Sequence, residues 1–294
     1  MTKIYKVLFP IGLFALLFLS SCELYNPAEP IPAFIHIQKI DLVRNLSGFV
    51  SAGDEGTLSN KISDAWVYID DQLVGCYELP ATFPVIGTGS HKVKISAGIK
   101  VNGISASRGQ YSFFTKYTQI VDLKQGETTT LSPTISYSSS TNFYFMQDFE
   151  TVGSTIDTTP SSLTNLAIIS DANVFEGSKS LKGYIVDPYN FFECATIPNC
   201  TLPKMGAPVF LEFNYKCNHQ ITVSMIAYGS STQEQFLVLN LNPSTNWNKI
   251  YIYLTPTVSG ANTANYYKVL WGMINNTGQT DSAYVYLDNI KLIY

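Results

Sequence analysis

The sequence predicts an all-β protein of two domains, and three observations carry this. Composition is the first: of 294 residues, 13% are aromatic and only 14% charged. Ser, Thr and Ile are the commonest residues and Tyr, Asn and Val are abundant, and β-branched and aromatic side chains suit pleated, half-buried surfaces. The second is period-two alternation of apolar residues in many short segments, the strand signature. The third is the run Ser136 to Asn142 (SYSSSTN), small and polar, which divides the chain into two stretches of different character.

The elements follow in order. Lys3 and Lys6 precede an apolar run from Val7 to Leu19, broken only by Pro10 and Gly12, and Ser20-Ser21-Cys22 follows. This is the layout of a secretory signal, too short for a transmembrane helix of about 20 residues. It resembles the lipobox of bacterial lipoproteins. The resemblance implies cleavage after Ser21, lipid on the Cys22 thiol, and membrane attachment through that lipid. Without Lys3 and Lys6 the net charge of −4 becomes −6, and no basic block occurs, so nucleic acid is not an expected partner.

Residues 22–32 hold three prolines and read as an extended tether. Acidic Glu23 and Glu29 after the cysteine resemble the signal that sends some Gram-negative lipoproteins to the outer surface. The expected location is therefore the outer membrane, facing the exterior, with the periplasmic face as the alternative.

The first domain is expected over 33–137. Phe34 to Ile37 opens a strand continuing through Ile40 and Leu42, and Asn45 to Lys61 is a loop. Ala65, Val67 and Ile69 share one face of a strand. Asp70-Asp71 turns the chain into a second hairpin arm, Gln72 to Tyr77. His91 to Ile95 alternates again, and strands are expected within Tyr111 to Leu123 and Thr128 to Tyr137. The order Asp70-Asp71, Gly75, Pro80, Phe83, Gly89-Ser90-His91, Val93, Ile95, Gly98 resembles PEGA and carboxypeptidase-regulatory-like modules. That likeness, clearest over 65–98, implies an immunoglobulin-like β-sandwich serving as a spacer or interaction platform.

A linker at 138–142 leads to the second domain, 143–294. Val209, Leu211, Phe213, Tyr215 and Cys217 share one strand face, as do Ile221, Val223, Met225 and Ala227. Phe236 to Leu241, Ile250 to Leu254 and Tyr266 to Ile274 add strands. In the last strand Val285 and Leu287 are in one phase and Ile290 and Leu292 in the other, which predicts a β-bulge at Asp288-Asn289. Asp148-Phe149-Glu150, Glu176-Gly177-x-x-Ser180-Leu181 and Leu287-Asp288-Asn289-Ile290 together resemble carbohydrate-binding modules and galactose-binding-like domains. The resemblance implies a jelly-roll β-sandwich. It also implies a structural calcium held by Glu150 and Asp288, near the loop of Glu176 to Ser178.

Sugar binding needs exposed rings, and the expected ligand-binding residues are Trp247, Trp271, Tyr228 and Tyr267. Tyr266, Tyr251 and Tyr253 are candidates for the same sheet. Tyr184, Tyr189, Phe191 and Phe192 form a second aromatic group in a Pro-containing loop. Beyond Cys22, the expected disulfide joins Cys194 to Cys200, with Cys217 able to compete, while Cys76 reads as a core thiol. Paired zinc-ligand spacings, a G-x-S-x-G elbow and a phosphate loop are all absent from the sequence. The expected protein is non-catalytic and binds glycan or another surface ligand through its second domain. The alternative is a structural subunit of an outer-membrane secretion, adhesion or motility assembly that binds protein.

Overall fold

The computed structural model describes residues 29–45, 55–275 and 282–294. The signal segment, Cys22 and most of the tether lie outside the described residues. Among those described, no helix is long and apolar enough to cross a membrane. The architecture is all-β: two β-sandwiches in sequence.

In the first sandwich, β1 (Ala33–Ile37) pairs antiparallel with β5 (Ala81–Val85) and parallel with β9 (Thr128–Leu131). A short parallel pair joins β2 (Asp41–Leu42) to β10 (Thr134–Ile135). The facing sheet runs β4 (Gln72–Glu78), β3 (Asp64–Ile69), β6 (Gly89–Lys100), β7 (Arg108–Gln110), with β8 (Tyr117–Leu123) also on β6. Asp70 and Asp71 have φ of 49° and 67°, the left-handed pair that a tight two-residue hairpin requires. Lys92 N donates to Asp70 Oδ1 at 2.9 Å and fixes that turn to the neighbouring strand. Between β7 and β8, Tyr111, Phe113 and Phe114 leave strand geometry and turn their rings into the core.

The second sandwich has a sheet ordered β13 (Leu166–Ile169), β14 (Ser180–Ile185), β21 (Ala283–Ile293), β16 (Phe210–Cys217), β19 (Ser244–Tyr253), with β11 (Phe143–Gln147) also on β21. Against it packs the sheet β12 (Ile156–Thr158), β15 (Phe191–Thr196), β20 (Tyr266–Ile274), β17 (Ile221–Tyr228), β18 (Gln233–Leu241). One helical turn, α1 (Thr255–Gly260), links β19 to β20. Leu211, Phe213, Leu287, Ile290 and Leu292 from one sheet meet Ile221, Val223, Met225, Val269 and Trp271 from the other. The bulge lies where the phase change in the sequence puts it. Glu212 pairs with Lys291 and Asn214 with Asp288, so two residues on β21 face Phe213, and Asn289 takes φ 50°. Tyr184, Phe191 and Phe192 belong to strands rather than to a loop.

Strict alternation would leave the outer face of β16 wet, yet Phe210, Glu212 and Asn214 are buried. The first sandwich covers them. Phe210, Tyr251 and Ile293 join its core beside Tyr111 and Phe113, so Tyr251 and half-buried Tyr253 belong to the junction rather than to a solvated edge. Glu212 accepts the Tyr111 hydroxyl at 2.6 Å and the Tyr137 hydroxyl at 3.0 Å, and pairs with Lys249 at 3.1 Å. Burial pushes the Glu212 carboxyl up. The Lys249 and Lys291 ammoniums and the Tyr111 hydroxyl outweigh that, and its pKa falls below the ordinary value. Lys291 Nζ crosses the junction to donate to Glu55 O at 2.5 Å and Thr57 O at 2.7 Å. Asn102, with φ 57°, donates its N–H to Tyr251 O at 2.8 Å, capping the otherwise open edge of β19.

Candidate functional site

The junction takes only one end of the β16–β21 outer face. At the other end the side chains that point outward are aromatic and basic. Across the strands, Lys182 on β14 stands opposite Tyr286 on β21, which stands opposite Lys216 on β16. The row continues to Trp247 on β19, whose indole lies 6.3 Å from the Tyr286 ring. Phe175, from the loop before β14, packs 5.2 Å from Trp247, and Tyr284 packs 5.2 Å from Tyr286. The four rings form a continuous ladder in which Trp247, Phe175 and Tyr284 are half-buried and Tyr286 is buried beneath its neighbours.

Both lysines lie over this ladder. Lys182 Nζ is 5.7 Å from the Tyr184 centroid and 5.8 Å from that of Tyr286, and Lys216 Nζ is 5.6 Å from Tyr286. Lys216 also donates to Asn173 Oδ1 at 3.0 Å. Among the described residues neither ammonium has a carboxylate partner. Burial, with the Asp171 charge nearby, raises the Tyr286 pKa, so the phenol stays protonated at neutral pH.

Of the ligand-binding residues expected from sequence, Trp247 is in this ladder. Tyr228 is on the outer face of the other sheet, stacked on Tyr266 at 4.7 Å. Trp271 and Tyr267 are corrected. Both are 0% exposed in the sandwich core, and the Tyr267 hydroxyl is spent on the carbonyls of Val258 and Ala261. In β20 alternation puts Tyr266 outside and Tyr267 inside; the sequence pair alone does not say which. Phe175, Tyr284, Lys182 and Lys216 belong to the site without a motif that marks them in the sequence. The out-of-phase positions of Tyr284 and Tyr286 against Val285 and Leu287 were the available signal.

The disulfide is corrected too. Cys194 is opposite Trp271, and Cys200 bridges to Tyr267. Four residues along one strand separate these positions by about 13 Å, beyond the 7 Å Cα limit of a disulfide. Cys76, Cys194, Cys200 and Cys217 are free thiols, and burial pushes the Cys200 thiol up to about 11.

Glu150 and Asp288 do come near one another at the start of β14. Glu150 Oε1 accepts the amides of Ser178 and Lys179 at 2.8 and 2.9 Å, and Oε2 accepts the Ser178 hydroxyl at 2.5 Å. A Cβ at Gly177, where φ is +71°, would collide with this carboxylate, so the loop needs glycine there. Asp288 accepts the Ser180 hydroxyl at 2.6 Å and the Asn289 amide at 2.7 Å. Burial, with the Glu150 charge adding to it, raises the Asp288 carboxyl to about 6 against those hydrogen bonds. Lys179 Nζ reaches the Glu150 carbonyl at 3.3 Å. Calcium needs six to eight oxygens. Here both carboxylates are spent on protein donors, and no group of three or more His, Cys, Asp or Glu is placed to hold a metal among the described residues. The donor set fits a clasp closed by N–H, O–H and one ammonium, and does not fit a calcium shell.

A second concavity of about 440 Å³ lies between the sandwiches, edged by Lys61, Lys100, Asn242 and Asn248. Lys61 Nζ donates across it to Asn248 Oδ1 at 2.6 Å, so the two domains already bridge it.

No protein-family model matches the sequence, and no curated protein matches it. Among solved structures, the chain is similar to a family 11 carbohydrate-binding module from Clostridium thermocellum in complex with a β-1,3-1,4-mixed-linked tetrasaccharide. Identity is 15%, over 50% of this chain and 92% of that one, with a TM-score of 0.32. It is also similar to the tandem CBM22 domains of Xyn10C from Paenibacillus barcinonensis, at 13% identity over 79% and 73%, with a TM-score of 0.38. A third is the enzymatically active domain of a bacteriophage CBA120 tailspike protein, at 12% identity and TM-score 0.35; the match spans 47% of this chain and 19% of the tailspike's length.

Proposed function

We propose that this chain is a non-catalytic cell-envelope protein, lipid-anchored through Cys22 at the outer membrane, whose second sandwich binds polysaccharide on the Trp247 ladder. One observation carries the reading. The rings of Phe175, Trp247, Tyr286 and Tyr284 run side by side on the part of the sheet face that the first sandwich leaves uncovered. Pyranose rings present apolar C–H faces, and aromatic surfaces bury such faces with fixed geometry. Hydroxyl partners are at hand in Asn173 and the Tyr284 phenol.

Affinity electrophoresis of the full chain in mild detergent, against gels containing plant and microbial polysaccharides, tests this. At least one polysaccharide should retard the protein, and Trp247→Ala should abolish the retardation while leaving the melting temperature within a few degrees. A blank panel, or retention unchanged in Trp247→Ala, would overturn the proposal.

A second reading, a subunit of an envelope assembly, is favoured by edge strand β4. It pairs on one side only and exposes Leu73 and Val74. Strand addition at that edge would recruit a protein partner. Extraction with the same partner in every preparation would favour it.

A further inference from the structure

We infer that the ladder selects acidic polysaccharides, chains whose sugars carry carboxylates, rather than neutral ones. This rests on the reading of the ladder as a polysaccharide site and adds the class of ligand.

Across the strands the side chains run Lys182, Tyr286, Lys216, Trp247. Cation and ring alternate. The two ammoniums flank one phenol, at 5.8 and 5.6 Å from its centroid, which bounds their separation to about 11 Å. At that limit, beyond the Debye length of about 8 Å at physiological salt, the two charges are largely screened from each other, so both can be held on one ring. Contact with ring faces is weakly favourable at an exposed site. It does not neutralise either charge.

Elsewhere several basic groups meet carboxylates, whereas Lys61, Lys179, Lys204 and Lys291 donate to neutral oxygens instead. Lys92 and Lys94 share Asp71, Lys100 and Arg108 share Asp64 and Glu78, and Lys249 meets Glu212. The protein has 22 acidic residues to draw on and a net charge of −4. None of those carboxylates meets Lys182 or Lys216 among the described residues. Asp171, the acidic group whose field reaches Tyr286, accepts the Asn173 amide at 2.7 Å and meets neither lysine within ion-pair distance. A uronate chain supplies what is missing. Its ring faces stack on Trp247 and Phe175, and its carboxylates approach the ammoniums on either side of Tyr286.

The test uses the full chain in mild detergent, with polygalacturonate as the acidic probe and mixed-linkage β-glucan as the neutral one, at 20 and 200 mM NaCl. Polygalacturonate should bind at least tenfold more tightly than the glucan and weaken several-fold at the higher salt. Lys182→Met/Lys216→Met should lose at least tenfold in affinity for polygalacturonate. Lys182→Arg/Lys216→Arg should retain most of it, and Lys124→Met, remote from the ladder, should change nothing. Equal or tighter binding of the glucan would overturn the inference and leave the polysaccharide site standing. So would methionine variants that bind polygalacturonate normally. Failure of every polysaccharide to bind would overturn both.

Discussion

Replacing Glu212 with alanine should cost the folded protein about 3–5 kcal/mol. The carboxylate is 0% exposed at the junction of the sandwiches. It accepts two tyrosine hydroxyls, at 2.6 and 3.0 Å, and pairs with Lys249 at 3.1 Å. A hydrogen bond to a charged group contributes about 1.5–3 kcal/mol, and the two phenols alone account for the lower end. Removing one partner of a buried ion pair also strands the other, here Lys249, and that change typically costs about 3–5 kcal/mol. These contributions overlap, so the upper figure is a ceiling and the two do not sum. Urea unfolding followed by tryptophan fluorescence reads the loss as a fall in midpoint at constant slope. A companion cycle, Tyr137→Phe with Glu212→Gln, should show coupling of about 1–3 kcal/mol. A loss below about 1 kcal/mol in Glu212→Ala would refute the junction as drawn. A split into two separate transitions would show instead that the sandwiches unfold independently.

Lys291 and the buried cysteines set two further outcomes. Burial holds Lys291 down at about 7, against about 10.4 for a free lysine, so above pH 7 the folded state releases a proton that the unfolded chain keeps. Stability should therefore rise between pH 7 and 9, by about 2 kcal/mol from this group, and Lys291→Met should flatten that rise in urea titrations; an unchanged slope would contradict it. Because Cys194 and Cys200 are buried and unbridged, reducing agent should leave the melting temperature unchanged and a thiol reagent should label neither in the native state. A fall of several degrees on reduction would restore the disulfide.

Much of the fold is legible in the sequence because its signals are local. The Asp70-Asp71 turn needs two left-handed residues, and the phase change at Asp288-Asn289 announces its own bulge. Alternation identifies β16 and β17 but says nothing of what lies beyond each face. Glu212, Asn214 and Lys291 look solvated until a second domain is set on them, and a burial decided by residues 101 positions away leaves no periodic trace. The site suffers the same ambiguity. Trp271 and Trp247 are both tryptophans in strands, yet one fills the core 5.9 Å from Phe213 and the other meets Phe175 on the surface. In the 156–196 stretch, strands of three to six residues broken by turns gave too short a pattern to count.

One sheet face thus serves two purposes, and the boundary between them constrains the proposed ligand. On β16, Asn214 is buried by the first sandwich and Lys216, two residues on, is half-buried on the part of the face that the sandwich leaves uncovered. A polysaccharide lying parallel to the strands would run from Lys216 into the junction within about 7 Å. A chain lying across them meets Lys182, Tyr286, Lys216 and Trp247 on four neighbouring strands, a row about 14 Å long at normal strand spacing. The covered end therefore sets the direction in which the open end can be used. The junction that buries Glu212 also fixes the ladder's bearing relative to the first sandwich, so loosening it would misalign the row without touching any ring.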